Sequence, residues 1–451
     1  MDADPRDLRI QQLEAENASL HQRIEELEQL ISSLHKRIAE LERSSARQAA
    51  PFRRRDKNKK PPDQHRPSGR SRGHKPSFRS PPEQVDEDID MRLDRCPDCG
   101  GPLTEAHPCV QYIEDLPLTR PHVTRLTTYV GHCPCCGEVR STHPLQVSQA
   151  QGAAGTHLGV RALGLAAWLS KRLGMTTRTV CKVLDVMGGL KLSPGGLSQA
   201  LNRMADKLQP PFDTLTRELQ DEPRIWVDET SWWVGEPGWW LWTFTTPETT
   251  VYSVDRSRGR EVVLDMLGED FAGVLTSDCL ASYEHLPYKM HKCYAHHLKA
   301  IAAAIEDQPS PYLQALRGLL HAAMSLHQLR DDLPPPEWSR KRQHLEERAD
   351  ELLLRTTPPS GAAKVAARLQ KRRQWLFTFL DDPALEATNN RAERSLRPAV
   401  IARKLSCGNK TQRGKRTWEI LTSLTTTCHQ RSQNFVDFIR PHLTLMPDSV
   451  R

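Results

Sequence analysis

The stretch RIWVDET, Arg224–Thr230, decides the fold. Apolar Ile225 and Val227 alternate through Trp226 and lead into an acid, Asp228, which predicts a short strand ending on a carboxylate. WWLWTFTTPETTVYSV, Trp239–Val254, reads as two strands joined at Pro247. EVVLDMLGEDF, Glu261–Phe271, reads as a short helix, and AGVLTSDCLASY, Ala272–Tyr283, as another strand ending at Asp278. A strand with a terminal acid, a hairpin, a helix and a second such strand predict a mixed sheet. Its two carboxylates then stand side by side at the carboxyl ends of neighbouring strands, where α/β sheets place their chemistry.

Two adjacent carboxylates repel, and hard divalent cations give them a reason to coexist. Mg²⁺ takes oxygen ligands and keeps exchangeable waters. Two such ions activate an attacking oxygen and stabilise a leaving one in phosphoryl displacement. A third carboxylate usually completes such a site. The candidate is Glu393, in ATNNRAERSLRP, Ala387–Pro398. Asp382 is expected to cap a helix that begins with Pro383 and is limited by Pro398. On it Asn389, Asn390 and Arg397 share the face of Glu393. Taken alone, Glu393 among arginines reads as surface ion pairing, worth about 0.2–1 kcal/mol.

The rest of the 451 residues surrounds this catalytic unit. Taking Ile10 as heptad position a puts Ile10, Asn17, Ile24, Ile31 and Ile38 at a and Leu13, Leu20, Leu27, Leu34 and Leu41 at d. That pattern predicts a parallel two-stranded coiled coil, with Asn17 setting register. A single amphipathic helix packed on its own domain is the plainer alternative. Between Arg53 and Arg79 there are eleven Lys or Arg against two Asp, among Pro, Ser and Gly. This segment is expected to be a disordered linker that holds phosphates nonspecifically or simply solubilises.

Eleven cysteines include two CxxC pairs, Cys96 with Cys99 and Cys133 with Cys136. Their spacing predicts a structural Zn²⁺ site in a zinc ribbon, with Cys135 a spectator and His132 a possible substitute ligand. From His157 to Leu208 three helices are expected, with Thr176 or Thr177 and Ser193 as N-caps, resembling a helix-turn-helix unit. Between the second and third acids most of the chain reads as helix. Cys293 and His296 form a C-x2-H pair at its start, and no second pair in the sequence completes a zinc site with them. A structural role, with His296 hydrogen-bonded near the active site, is the favoured reading. The tryptophans Trp232, Trp233, Trp239, Trp240 and Trp242 read as sheet packing before base stacking.

Net charge is +7, a mild basic excess compatible with a polyanion partner. No apolar run is long enough to span a membrane, and the N-terminus has no apolar signal core.

VDET at Val227–Thr230, SDCLASY at Ser277–Tyr283, KCYAHHLKAI at Lys292–Ile301 and NNRAERSLRPAVIARK at Asn389–Lys404 carry a resemblance. With the zipper and the CxxC pairs in the same order, the chain resembles the DDE transposases of the insertion-sequence-sixty-six family, the TnpC-type large subunit. The resemblance implies a multidomain α+β chain. It would hold an N-terminal coiled coil (1–45), a basic linker (46–88), a zinc ribbon (89–145) and a helical DNA-binding module (146–215). A ribonuclease-H-like α/β catalytic domain follows in two parts (216–290 and 381–451) around a helical insertion (291–380).

The implied activity is cleavage of insertion-element ends and joining of the 3′-hydroxyl to target DNA. Asp228, Asp278 and Glu393 would hold two Mg²⁺ or Mn²⁺ ions, and Asn389, Asn390, Arg394, Arg397, Arg403 and Lys404 would contact DNA. Implied partners are terminal inverted repeats, target DNA, a second subunit through the coiled coil and small accessory transposition proteins, in the bacterial cytoplasm at the nucleoid. The chain departs from the family pattern at Cys279, where Gly is usual, at His297 and Leu298, where basic residues are usual, and at Leu405. The alternatives are a noncatalytic zinc-containing DNA-binding regulator and a metal-dependent nuclease that cuts without joining.

Overall fold

The computed structural model describes residues 17, 20–34, 82–91, 95–102, 109–116, 119–147 and 157–444. The chain divides into two compact units, Met1–Glu114 and Asp115–Arg451. The expected zinc-ribbon segment therefore contributes to both.

In the first unit, residues 20–34 are helical (α1) and Leu20, Ile24, Leu27, Ile31 and Leu34 are exposed. Every described residue of α1 is exposed, so burial does not set its a and d positions apart from the rest. Ile10, Leu13, Ile38 and Leu41, and the linker through residue 81, lie outside the described residues.

The second unit begins with a hairpin, β1 (Val130–Cys133) and β2 (Gly137–Arg140), closed by the Cys133–Gly137 pair. Gly137 has φ 76°, a left-handed turn position that favours glycine. Four helices follow: α2 (Val160–Ala167, continued by a π-turn to Arg172), α3 (Thr177–Gly188), α4 (Pro194–Lys207) and α5 (Gln209–Gln220). Thr176 and Ser193 cap α3 and α4 through their side-chain oxygens, as their sequence positions predict.

The central sheet has five strands in the order β5-β4-β3-β6-β7. They are β3 (Arg224–Val234), β4 (Glu236–Thr245), β5 (Thr250–Asp255), β6 (Val274–Ser277) and β7 (Lys289–Lys292). β3, β4 and β5 form an antiparallel meander, while β6 and β7 join β3 in parallel. The helix α6 (Glu261–Leu267) makes the crossover to β6. The expected hairpin, helix and strand are all present. Two details differ. β3 does not end at Asp228 but runs on to Val234, because its second half pairs with β4. β7 was not expected; YKMHKC has too short and too polar an alternation to stand out, and burial decides it.

The sheet is covered on both faces, and side-chain alternation sorts its residues between them. Ile225, Val227, Trp242, Phe244, Val251 and Leu275 point into one core, shared with α2–α6 and the last two helices, α12 (Gln412–Gln430) and α13 (Phe435–Leu443). The helices of the expected DNA-binding module thus bury their apolar stripes in the core that this face of the sheet shares, with α4 and α5 packed on α12 and α2 on α13. Trp226 points the other way, into a core built from α7 (Tyr294–Asp307), α8 (Pro311–Gln328), α9 (Pro335–Asp350) and α10 (Ala363–Gln370). This is the expected helical insertion. Its last helix is shorter than expected: beyond Gln370 the chain continues in 3-10 turns.

The edge strand β5 has no strand partner on its outer side, and α12 takes that place. Thr250, Tyr252 and Val254 donate backbone N–H to Thr427 Oγ1 (3.0 Å), Ser423 Oγ (2.9 Å) and Glu419 Oε1 (2.7 Å). A step of four residues on the helix, about 6 Å, matches a step of two on the strand, about 6.8 Å. A row of exposed edge donors is thereby closed.

Candidate active site

Val274 pairs with Arg224, Leu275 with Ile225 and Thr276 with Trp226 across the parallel strands. Two residues further on each chain stand Asp228 and Asp278, on the sheet face that Trp226 occupies. Asp228 Oδ1 accepts the backbone N–H of Glu229 (3.0 Å) and Asp278 Oδ1 that of Leu280 (2.8 Å).

Glu393 arrives from the C-terminal part of the chain on α11 (Asn390–Ser406). This helix does not begin at Pro383. Both carboxylate oxygens of Asp382 take Arg224 Nη1 (2.8 and 2.7 Å), and Oδ1 also takes the N–H of Ala384 (3.0 Å). Asp382 therefore closes a turn and anchors it to β3. Nor does Pro398 limit the helix; it sits inside, where it removes one backbone hydrogen bond and crowds the carbonyl of Arg394. Asn389 is the N-cap residue and is fully buried. Its Nδ2 donates to the carbonyl of Val227 (2.8 Å), locking the start of α11 to the strand residue beside Asp228. An expected DNA-contacting residue is thus a scaffold residue.

The three acids share one electrostatic neighbourhood. Burial, then the charges of Glu229, Asp278 and Glu393, hold the Asp228 carboxyl well above the usual range, against the hydrogen bond from Glu229. Three carboxylates so placed offer oxygen ligands of the kind a hard divalent cation takes, although their oxygens do not all lie within 4.8 Å of one another.

A fourth carboxylate, Glu229, faces the opposite side from Asp228. Its Oε1 receives Arg258 Nε and Nη2 (3.0 and 2.8 Å) and its Oε2 receives the Tyr283 hydroxyl. Burial raises the Glu229 carboxyl, and Tyr283 and Arg258 oppose the rise. Lys292 is buried at the end of β7, with Nζ 2.8 Å from Ser277 Oγ, the residue before Asp278. Burial brings this ammonium down to about 8, while Cys279 and Asp278 oppose the shift. Sequence reasoning missed Glu229, Arg258, Tyr283 and Lys292. VDET did contain the extra acid, but nothing local assigns it a partner.

The C-x2-H pair gains a third member. Among the described residues, Cys293, His296 and Glu393 form the one group of three His, Cys, Asp or Glu whose ligand atoms all lie within 4.8 Å of one another. Cys279 and His297, two of the departures from the family pattern, are themselves neighbours, with Sγ 3.6 Å from Nε2.

The basic residues of α11 divide by position. Arg403 Nη1 reaches Thr230 Oγ1 (3.2 Å) and Ser231 Oγ (2.7 Å), clamping the helix to β3. Arg394 and Arg397 are exposed, as is Asn390; Arg394 lies 3.9 Å from Glu386. The tryptophans are largely packing groups: Trp232, Trp239 and Trp242 are buried, Trp232 against Trp418 with ring centres 4.8 Å apart.

Each CxxC pair forms a tight turn. Hydrogen bonds from the backbone of Cys99 and Asp98 lower the Cys96 thiol, and those of Cys136 and Cys135 lower Cys133. Sulfur surrounded by backbone donors is suited to a bound thiolate. The two pairs belong to different units.

No helix among the described residues is long and apolar enough to cross a membrane. A sequence profile described as the IS66 family of transposases matches residues 157–417, a span that contains Asp228, Asp278 and Glu393. The uncharacterized protein y4qI of Sinorhizobium fredii is 24% identical over 230 residues, covering 44% of this chain and 40% of that protein. The chain thus spans about two fifths of the length of that relative.

Proposed function

From the premise that this chain belongs to the IS66 family of transposases, we propose that it cuts the ends of an insertion element. The freed 3′-hydroxyl is then joined to target DNA at the same site. The observation that carries this reading is the register of β3 and β6, which puts Asp228 and Asp278 on one face of the sheet, the face on which α11 packs with Glu393 in its first turn. The strand order, three antiparallel strands followed by two parallel ones, supports a ribonuclease-H-like catalytic domain.

Asp228 and Asp278 hold the rigid half of the site, because both are fixed by strand register and by backbone N–H bonds. Glu393 comes on a helix held to β3 by Asn389 at its start and Arg403 toward its end. Two Mg²⁺ or Mn²⁺ ions bound by these acids would activate the attacking oxygen and stabilise the leaving oxygen. Arg394, Arg397 and Asn390, exposed beside Glu393, hold phosphates and orient the strand, raising affinity without reading sequence. Lys404 extends that basic row, while Arg403 holds α11 to β3. Each CxxC turn offers two thiolates to a Zn²⁺ ion, and the α1 seam pairs two subunits, one for each element end.

The test uses labelled element ends and a supercoiled target. Wild type should yield joined products with Mg²⁺, and Asp228→Ala, Asp278→Ala and Glu393→Ala should bind ends without cutting them. Full cleavage by any of these variants would sink the triad. Cutting without joining would identify a nuclease, and end binding alone a regulator.

A further inference from the structure

We propose that Cys293, His296 and Glu393 form a second metal site, for a borderline ion of the Zn²⁺ class, which holds Glu393 apart from the two aspartates. The withholding rests on Glu393 being the third catalytic acid; the metal site does not.

The site is built where two helices begin. Cys293 is the N-cap residue of α7 and His296 lies in its first turn, so both ligands project from one helix end. Glu393 lies in the first turn of α11. The two helix starts are tied together: Tyr294 N–H donates to the Ala387 carbonyl (3.0 Å), and Asn389 N–H donates to Cys293 Sγ (3.1 Å). Burial, and the charge of Glu393, push the Cys293 thiol up against the N–H donors to its sulfur, so the thiolate needs the bound cation; the positive ends of the two helices favour both anionic ligands.

The donors already lie within 4.8 Å of one another. A tetrahedral ion with bonds of about 2.0–2.3 Å wants them roughly 3.6 Å apart, so side-chain rotations that draw all three together must accompany binding. Within this group His296 Nδ1 is buried without a hydrogen-bond partner, so this ring nitrogen is not committed to another residue. One thiolate, one imidazole and one carboxylate leave a fourth position for water and select Zn²⁺ over Mg²⁺, which prefers oxygen alone.

Glu393 therefore has two destinations. Turned to Asp228 and Asp278, it completes an all-oxygen site. Turned to Cys293 and His296, it is held by a softer ion. Zinc would then lower cleavage without touching either aspartate.

Metal-free full-length protein is titrated with Zn²⁺, and with Co²⁺ as an optical probe of thiolate ligation. Wild type should take up one equivalent more than Glu393→Gln or His296→Gln, both at positions where folding survives more readily than at fully buried Cys293. Melting of each metal-free variant is measured alongside. Equal uptake by wild type and both variants overturns the site. In cleavage assays with Mg²⁺, the extra zinc equivalent should slow wild type by about tenfold, a coupling of about 1.4 kcal/mol. It should leave Cys293→Ser at its own zinc-free rate. Equal slowing of both overturns the withholding. Loss of the equivalent in Glu393→Gln with cleavage retained would keep the metal site and remove Glu393 from the triad.

Discussion

Asp228 and Asp278 each stand two residues beyond the last parallel pair of β3 and β6, Trp226 with Thr276. Side chains alternate with period two, so both carboxylates fall on the face of Trp226, the face that α11 covers. A one-residue slip of β6 would turn Asp278 to the other side of the sheet.

The Asp228 carboxyl sits among Glu229, Asp278 and Glu393 and is held above its ordinary value, so metal-free protein should lose stability as pH rises. The folded state binds this proton more tightly than the unfolded chain. Stability is therefore highest below the unfolded value of about 3.9 and falls as pH climbs through the raised folded value. Asp228→Asn should flatten that fall in metal-free melting curves. Added Mg²⁺ or Mn²⁺ should raise the melting temperature of wild type near pH 7 and leave the variant nearly unmoved.

Lys292 has the opposite sign. Its folded value of about 8 lies below the ordinary 10.5, so the folded state releases this proton first. Stability should rise with pH between those two values as the unfolded chain alone keeps the proton. Lys292→Met should abolish that rise in urea titrations at stepped pH. An unchanged slope would show that the ammonium is solvated.

The capping of β5 by α12 predicts a cost for each lost oxygen. Ser423→Ala leaves the buried Tyr252 N–H without a partner and should destabilise by about 1–3 kcal/mol. Thr427→Val should do the same for Thr250. Equilibrium denaturation reads both, and end binding by the folded fraction should be retained.

Asn389→Ala removes the bond from α11 to the Val227 carbonyl and opens a small cavity. Stability should fall by about 1–3 kcal/mol, and cleavage should fall further than end binding, because Glu393 loses its position. Arg397→Ala, at an exposed site, should behave differently. DNA affinity should drop similarly across sequences, and the slope of log affinity against log salt should fall by about one.

The seam of α1 makes a separate prediction. Ile24→Lys with Leu27→Lys places four charges in the interface of a paired coil and should leave a monomer by sedimentation equilibrium. An unchanged mass would assign α1 to another partner.

By itself the sequence determined the elements whose signals are local. Alternation at Arg224–Val227, the turn at Pro247, the caps Thr176 and Ser193, and the CxxC turns are all encoded within a few residues, because neighbouring backbone and side-chain atoms create them. Asp228, Asp278 and Glu393 were legible there as candidates, as acids in recognisable surroundings. Tertiary structure decided the rest. It carried β3 past Asp228 by pairing it with β4, and made a strand of Lys289–Lys292 by burial. It took Asp382 for Arg224 and so moved the start of α11 to Asn390. It buried Asn389, and it brought Glu393 within reach of Cys293 and His296. Each of these depends on partners far apart in the chain, and the free energy of such contacts has no imprint on the residues beside either partner.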